Sequence, residues 1–151
     1  MAVNLPFHAL LPPEYVPDER LRLRIYQQLA GATTESELDE SARNLRQRFG
    51  PRPEQLENLL LALRVRLLAA AAGAQSVETD HDDVVLSFEP GHGLSLKESV
   101  GQSHGQALEA GPNRLRLRTE LVGDSWPDLL MGVLRKLGQA RAARMAELAN
   151  L

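Results

Sequence analysis

The ten residues Asn44-Leu45-Arg46-Gln47-Arg48-Phe49-Gly50-Pro51-Arg52-Pro53 decide how the first half of this chain folds. Leu45 and Phe49 prolong an apolar stripe that starts at Leu38 and Ala42, so the segment before Gly50 reads as the end of an amphipathic helix. Gly50 stands where a helix commonly turns left-handed, and the prolines at 51 and 53 bar its continuation. A second apolar pattern opens at Pro53 and runs to about Ala72, with Leu56, Leu59, Leu60, Leu63, Leu67 and Ala70 on one face and Leu61, Val65 and Leu68 beside it. The stretch therefore predicts a helical hairpin whose second arm has an apolar surface wide enough to need partners on two sides.

Working upstream, Thr34-Glu35-Ser36-Glu37 has the spacing of a capping box and predicts where the helix ending at Phe49 begins. Glu35, Glu37, Asp39 and Glu40 crowd its first turns and Arg43, Arg46 and Arg48 its last, which complements the helix dipole. Before it, Asp18 is a good N-cap for a helix reaching about Ala30, with Leu21, Ile25 and Leu29 inward, Arg20, Arg22 and Arg24 on the exposed flank, and Gly31 ending it. Pro12, Pro13 and Pro17 predict an extended connector. Val3 to Leu10, with Val3, Leu5 and Phe7 alternating, predicts a short strand that Pro6 confines to an edge.

Downstream of Gly73 the apolar period changes to two. Ala74–Thr79 and Val84–Phe88 are candidate strands of a hairpin turning at Asp80-His81-Asp82-Asp83. Pro90-Gly91-His92-Gly93 reads as a loop and Leu94–Val100 as a short helix. Ala107–Ala110 and Arg114–Thr119 form a second hairpin through Gly111-Pro112-Asn113, with Leu115 and Leu117 on one face and Arg114, Arg116 and Arg118 on the other. Ser125 is placed to cap a last helix beginning around Trp126-Pro127, which carries Leu130, Val133, Leu134 and Leu137 and is weakened by Gly132 and Gly138. The expected architecture is one α+β domain spanning residues 1–151: N-terminal helices packed with a small, mainly antiparallel sheet and a C-terminal helix.

At 151 residues, 43% of them hydrophobic and 25% charged, the chain is long enough for a real core, and 4% aromatics makes that core aliphatic. No cysteine is present, which excludes disulfides and thiolate metal sites. No apolar run reaches the ~20 residues of a membrane span, and the segment Met1-Ala2-Val3-Asn4-Leu5-Pro6 lacks the pattern of a secretory signal, so the expected location is the cytoplasm. The net charge of −3 argues against sequence-independent binding of nucleic acid. Charge is unevenly placed, however: Glu78, Asp80, Asp82, Asp83 and Glu89 are clustered, and the last helix, with Asp128 in its first turn, then carries Arg135, Lys136, Arg141 and Arg144 against Glu147. Such poles serve either solvation or protein docking.

Reactive groups that could converge are scarce. There is no phosphate-binding loop, no His-Glu-x-x-His and no Gly-x-Ser-x-Gly segment. His8, His81, His92 and His104 share no ligand spacing. His81 beside Asp82 and Asp83 is either a cation site or, more simply, a solvated turn. Ser103 and His104 are loop neighbours, and a small hydrolase built on His92, Ser103 and His104 needs a pocket uniting them. Arg114, Arg116 and Arg118 could grip phosphates, with the basic last helix, or could be the wet side of a strand. Trp126 is either an interface anchor or a core seal, and Tyr15 and Tyr26 read as mainly structural.

The segment Leu11-Pro12-x-x-Tyr15-x-Pro17-Asp18, then Arg20-Leu21 and Tyr26, then Leu45, Arg48, Phe49, Gly50 and Pro53, resembles the C-terminal domain of the bacterial transcription-repair coupling factor. The resemblance covers nearly the whole chain in order of elements and is densest from Ala9 through Leu60. It implies a regulatory, non-catalytic domain with no cofactor, at the end of an ATP-driven DNA translocase that removes stalled RNA polymerase. Such a domain folds back on a UvrB-like module, masks the surface that recruits UvrA and restrains the motor. The partners implied are that module directly, and UvrA, RNA polymerase and DNA through the parent protein.

The family pattern E-L-x-D-R-F-G-x-x-P has carboxylates where this chain has Asn44 and Gln47, so an ion pair made there by relatives becomes a neutral hydrogen bond. Charge-assisted hydrogen bonds are roughly twice as strong as neutral ones. The expectation is a weaker intramolecular lock, or one of opposite polarity that uses Arg46, Arg48 and Arg52. The expected contact surface is the hairpin bend: Asn44, Gln47, Arg48, Arg52 and Glu54.

Overall fold

A computed structural model describes residues 1–100 and 105–151 and has the α+β composition expected. The chain divides into two compact units, Phe7–Leu67 and Met1–Pro6 with Leu68–Leu151.

The first unit contains α1 (Glu19–Ala30), α2 (Glu35–Phe49) and most of α3 (Glu54–Ala72). Asp18 caps α1 as predicted, its carboxylate accepting from the amides of Arg20 and Leu21. At the other end Gly31 is right-handed, with φ −83°, so glycine is not required there. The Thr34 side chain accepts from the Glu37 amide, but the returning Glu37 carboxylate accepts from the Thr33 amide, at 2.8 Å, instead of that of Thr34. The capping box is thus displaced outward by one residue.

Gly50 ends α2 with φ 92° and ψ −166°, a region open in practice only to glycine. The prolines keep the connection short, and the Pro53 carbonyl starts α3 by accepting from the amides of Leu56 and Glu57. The core consists of Leu11, Val16, Ile25, Leu29, Leu38, Leu45, Leu56 and Leu60, edged by Tyr15, Tyr26 and Phe49. Arg64 of α3 ties down α2 through Glu35 at 2.8 Å and through Asp39. Burial lowers its proton affinity, yet the two carboxylates outweigh this and raise it above the ordinary arginine value.

The proline connector is not extended. The amides of Tyr15 and Val16 both return to the Pro12 carbonyl, folding Leu11–Val16 into a turn that buries Leu11 and Val16 completely. Prolines at 12, 13 and 17 permit a turn as readily as an extended segment, and the demand of the core for two more aliphatic side chains selects the turn.

In the second unit, β1 (Ser76–Asp80), β2 (Asp83–Ser87), β3 (Leu108–Ala110) and β4 (Arg114–Leu117) form an antiparallel sheet in the order β1-β2-β4-β3. Val77, Val84, Leu86, Leu115 and Leu117 share one buried face. The strand expected over Val3–Leu10 is reduced to a single parallel bridge, Val3 to Val77, because Pro6 has no amide to extend a ladder. The β1–β2 turn is tighter than expected: only His81 and Asp82 lie between the strands, both with positive φ.

A short helix α4 (Leu96–Val100) and a single 3₁₀ turn (Gly105–Ala107) precede β3. The strand expected to reach Thr119 stops at Leu117, and Thr119–Val122 forms an unpredicted helical turn, α5. Helix α6 (Trp126–Ala149) buries Leu130, Val133, Leu134 and Leu137. It packs against the last turn of α3, where Gly138 lies beside Ala71. Ser125 precedes α6 without lending it a side-chain hydrogen bond, contrary to expectation; its carbonyl accepts from the Asp128 and Leu129 amides instead.

Two glycines with open space around the missing Cβ should respond oppositely to alanine. Gly132, inside α6, becomes more stable by about 1 kcal/mol as Gly132→Ala. Gly50→Ala loses about 1–3 kcal/mol through its backbone angle alone. Urea denaturation of both variants checks the pair, and the same sign for both would contradict it.

Candidate docking surface

The sequence pointed to the hairpin bend, and the structure divides those five residues. Asn44 and Arg48, one turn apart on α2, line a groove of about 160 Å³ with Ile25, Gln28 and Leu29 of α1 and Ser41, Leu45 and Phe49 of α2. A neighbouring polar hollow of about 310 Å³ shares Gln28, Ser41 and Asn44 and continues to Gly31, Ala32, Glu37 and Glu40. Asn44 therefore sits at the divide of one continuous depression between α1 and α2. Its apolar end is closed by Phe49, over whose ring the Arg48 guanidinium lies 5.2 Å from the centroid.

Gln47 and Glu54 are exposed and line neither hollow. Arg52 is drawn back into the unit. Its Nε donates to Glu57 at 2.5 Å and its Nη1 to the Ala42 carbonyl at 3.0 Å, leaving the side chain 21% exposed. It braces the bend instead of facing a partner. Ile25 and Leu29 are core residues, as expected, and their edges also wall the groove; what sequence reasoning missed is Gln28, which carries no motif. Its position three residues after Ile25 was the available signal, since residues three apart share a helix face.

Beneath the groove the bend is held by Tyr15. Its hydroxyl lies 2.7 Å from the Gly50 carbonyl and 3.0 Å from that of Leu45, and its ring tilts against Phe49 at 5.6 Å. Tyr26 fixes the other end of the same connector, its hydroxyl accepting from the Leu11 amide at 2.6 Å. Both tyrosines are structural, as the sequence suggested.

The alternative sites resolve differently. Of the arginine ladder, Arg116 donates to Asp80 at 2.6 Å and Asp83 at 2.9 Å, and Arg118 to Glu109 at 2.5 Å. Two of its three cations are thus neutralised by carboxylates from the other three strands of the sheet. The Arg116 guanidinium, and secondarily His81, hold the Asp80 carboxyl below its ordinary range. Asp80 takes the His81 Nδ1 at 2.8 Å, and His81 itself is 95% exposed. His92 uses both ring nitrogens on backbone: Nδ1 accepts from the Leu94 amide at 3.2 Å, so the proton is on Nε2, which donates to the Pro112 carbonyl at 2.8 Å. It pins two loops together. Ser103 and His104 lie outside the described residues. Trp126 is half-buried at the start of α6.

With this geometry in view, residues 5–99 match a family model described as the TRCF domain. Among curated proteins the chain is 31% identical over 122 residues, 79% of its length, to the transcription-repair-coupling factor of Escherichia coli (strain K12). It is 41% identical over 86 residues, 57% of its length, to that of Haemophilus influenzae. The matched stretches amount to only 11% and 8% of those two proteins. A crystal structure of the C-terminal domain of a transcription-repair coupling factor superposes with a TM-score of 0.73 at 22% identity, covering 94% of this chain and 92% of the other, which establishes a shared fold.

Burial pushes the Tyr15 phenol above its usual value, with Arg52 pulling the other way. In the unfolded chain the proton leaves first, near pH 10. The stability contributed is therefore complete below about pH 10 and declines as pH rises through the folded-state value. Tyr15→Phe should cost about 1 kcal/mol at neutral pH and flatten that alkaline decline. Urea titrations between pH 8 and pH 11 compare the two, and an unchanged alkaline slope would show that Tyr15 is not its source.

Proposed function

The chain belongs to the TRCF domain family, and from that premise we propose that it is a non-catalytic docking domain that holds a transcription-repair coupling factor in a restrained state. In this reading the parent is an ATP-dependent DNA translocase of the cytoplasm that acts on stalled RNA polymerase. The domain folds back on the UvrB-like module of the same protein and covers the surface that recruits UvrA. The observation that carries the reading is the placement of Asn44. The hairpin stretch that aligns with the family motif presents this residue in the middle of an open groove, where an intramolecular partner can reach it.

The two motif positions are neutral on this side. Asn44 and Gln47 offer amides to the partner, and Arg48 offers the one cation of the groove, held over Phe49. A neutral lock is weaker than a charge-assisted one, so release needs a smaller competing interaction, and the population of the open state is correspondingly larger. Arg52, engaged with Glu57 and Ala42, shapes the bend and contributes no charge outward.

Asn44→Glu in the parent protein restores a carboxylate, and the expected result is UvrA affinity lowered about fivefold, the equivalent of about 1 kcal/mol. Removing the domain should raise UvrA affinity and the basal ATPase rate together. Calorimetric titration with UvrA and steady-state ATP hydrolysis measure both. If removal changes neither quantity, the restraint does not exist. If removal acts and Asn44→Glu does not, the lock lies elsewhere on the domain.

A further inference from the structure

Helix α6 is longer than the core it covers. Leu130, Leu134 and Leu137 are buried, and the same face continues through Arg141, Arg144, Met145 and Leu148 at three- and four-residue steps. Residues 142–151 are all exposed, with Met145 53% and Leu148 56% exposed. Residues 142–149 of this helix, at ~1.5 Å each, make about 12 Å, so the apolar stripe overhangs its own unit by roughly two turns. The arm has an intrinsic reason to stay helical, since Ala142, Ala143, Ala146 and Ala149 are strong helix formers.

The stripe carries two cations at its root. Arg141 lies against the backbone at Gly73, and a Cβ placed there would come within 2.8 Å of its Nε; Arg144 lies equally close at Gly93. Among the described residues neither guanidinium meets a carboxylate, although Arg52, Arg64, Arg116 and Arg118 all do. After Leu134 the chain has four basic residues against the single Glu147, within a protein of net charge −3.

We propose that the overhanging end of α6 is a second docking surface, whose occupant is an acidic amphipathic helix of a partner protein. Its apolar residues cover Met145 and Leu148, and its carboxylates meet Arg141 and Arg144. A second copy of this chain is a poor occupant, because pairing two such stripes sets arginine against arginine. A membrane is a poor one too: the arm has no Trp or Phe to enter an interface, and Glu147 interrupts its charge. This surface is independent of the α1–α2 groove and of the restraint attributed to it.

The test uses the full 151-residue chain and a synthetic helical peptide with leucines at i, i+3, i+4 and i+7 flanked by glutamates, beside a control with lysines in their place. Saturable binding of the glutamate peptide is expected, with chemical-shift changes at Met145 and Leu148. Affinity should fall at least tenfold in Met145→Asp with Leu148→Asp, and at least threefold in Arg141→Gln with Arg144→Gln. Circular dichroism checks folding, and Met145→Ala with Leu148→Ala keeps helix propensity where the aspartates do not. Equal binding of both peptides, binding of neither, dimerisation abolished by Leu148→Asp, or recruitment to anionic vesicles in place of the peptide would each overturn the proposal.

Discussion

The Tyr15 hydroxyl spans 35 residues of sequence to reach the Gly50 carbonyl, and the hairpin is organised about that bond. A helix that stops abruptly leaves carbonyls without amide partners, and here the prolines at 51 and 53 deny it two of the three nearest replacements. The phenol supplies what the backbone cannot. In doing so it draws the connector against the bend, places Val16 and Leu11 in the core, and gives Phe49 a ring to pack on. Phe49 in turn positions Arg48 at the mouth of the groove. Remote features of the surface therefore descend from one half-buried polar contact.

What could be read from the sequence was local. The Asp18 cap, the stop at Gly50, the wide apolar face of α3 and the buried alternation of Leu115 and Leu117 follow from spacings within a few residues, and all are present. The misreadings share a cause, which is that the deciding partner is distant. Nothing near Val3 shows that only one residue will pair with Val77. Nothing in Arg114-x-Arg116-x-Arg118 shows that Asp80, Asp83 and Glu109 will come beside two of the three. Arg52 looked available for the same reason, since Glu57 and the Ala42 carbonyl reach it only once the bend exists. Half the groove was legible because α2 carries the motif, and the α1 half was not because Gln28 has no local signature.

Seen as a whole, the placement of cations sorts the surface. Arg64 and Arg52 hold the first unit together, Arg66 meets the terminal carbonyl of α1 at Ala30, and Arg116 with Arg118 stitches the sheet. These five side chains are spent on bracing, while Arg20, Arg24, Arg43 and Arg46 stand exposed on α1 and α2. The depression between α1 and α2 runs from Arg48 at its apolar end to Glu37 and Glu40 at the other, and the far end of α6 is left cationic. Two surfaces of different chemistry on one small protein suit it to contacts that are made and broken separately.

The seats of Arg141 and Arg144 have a consequence for how this lineage can change. Each guanidinium rests on a glycine of positive φ, 80° at Gly73 and 84° at Gly93, where any side chain would collide with it. A larger residue in the loop would displace the arginine and strain a positive φ as well, whereas a lost arginine leaves in place the backbone angle that favours glycine. The glycines at 73 and 93 should therefore outlast the arginines that rest on them, and a re-anchored helix in a descendant would show first at positions 141 and 144.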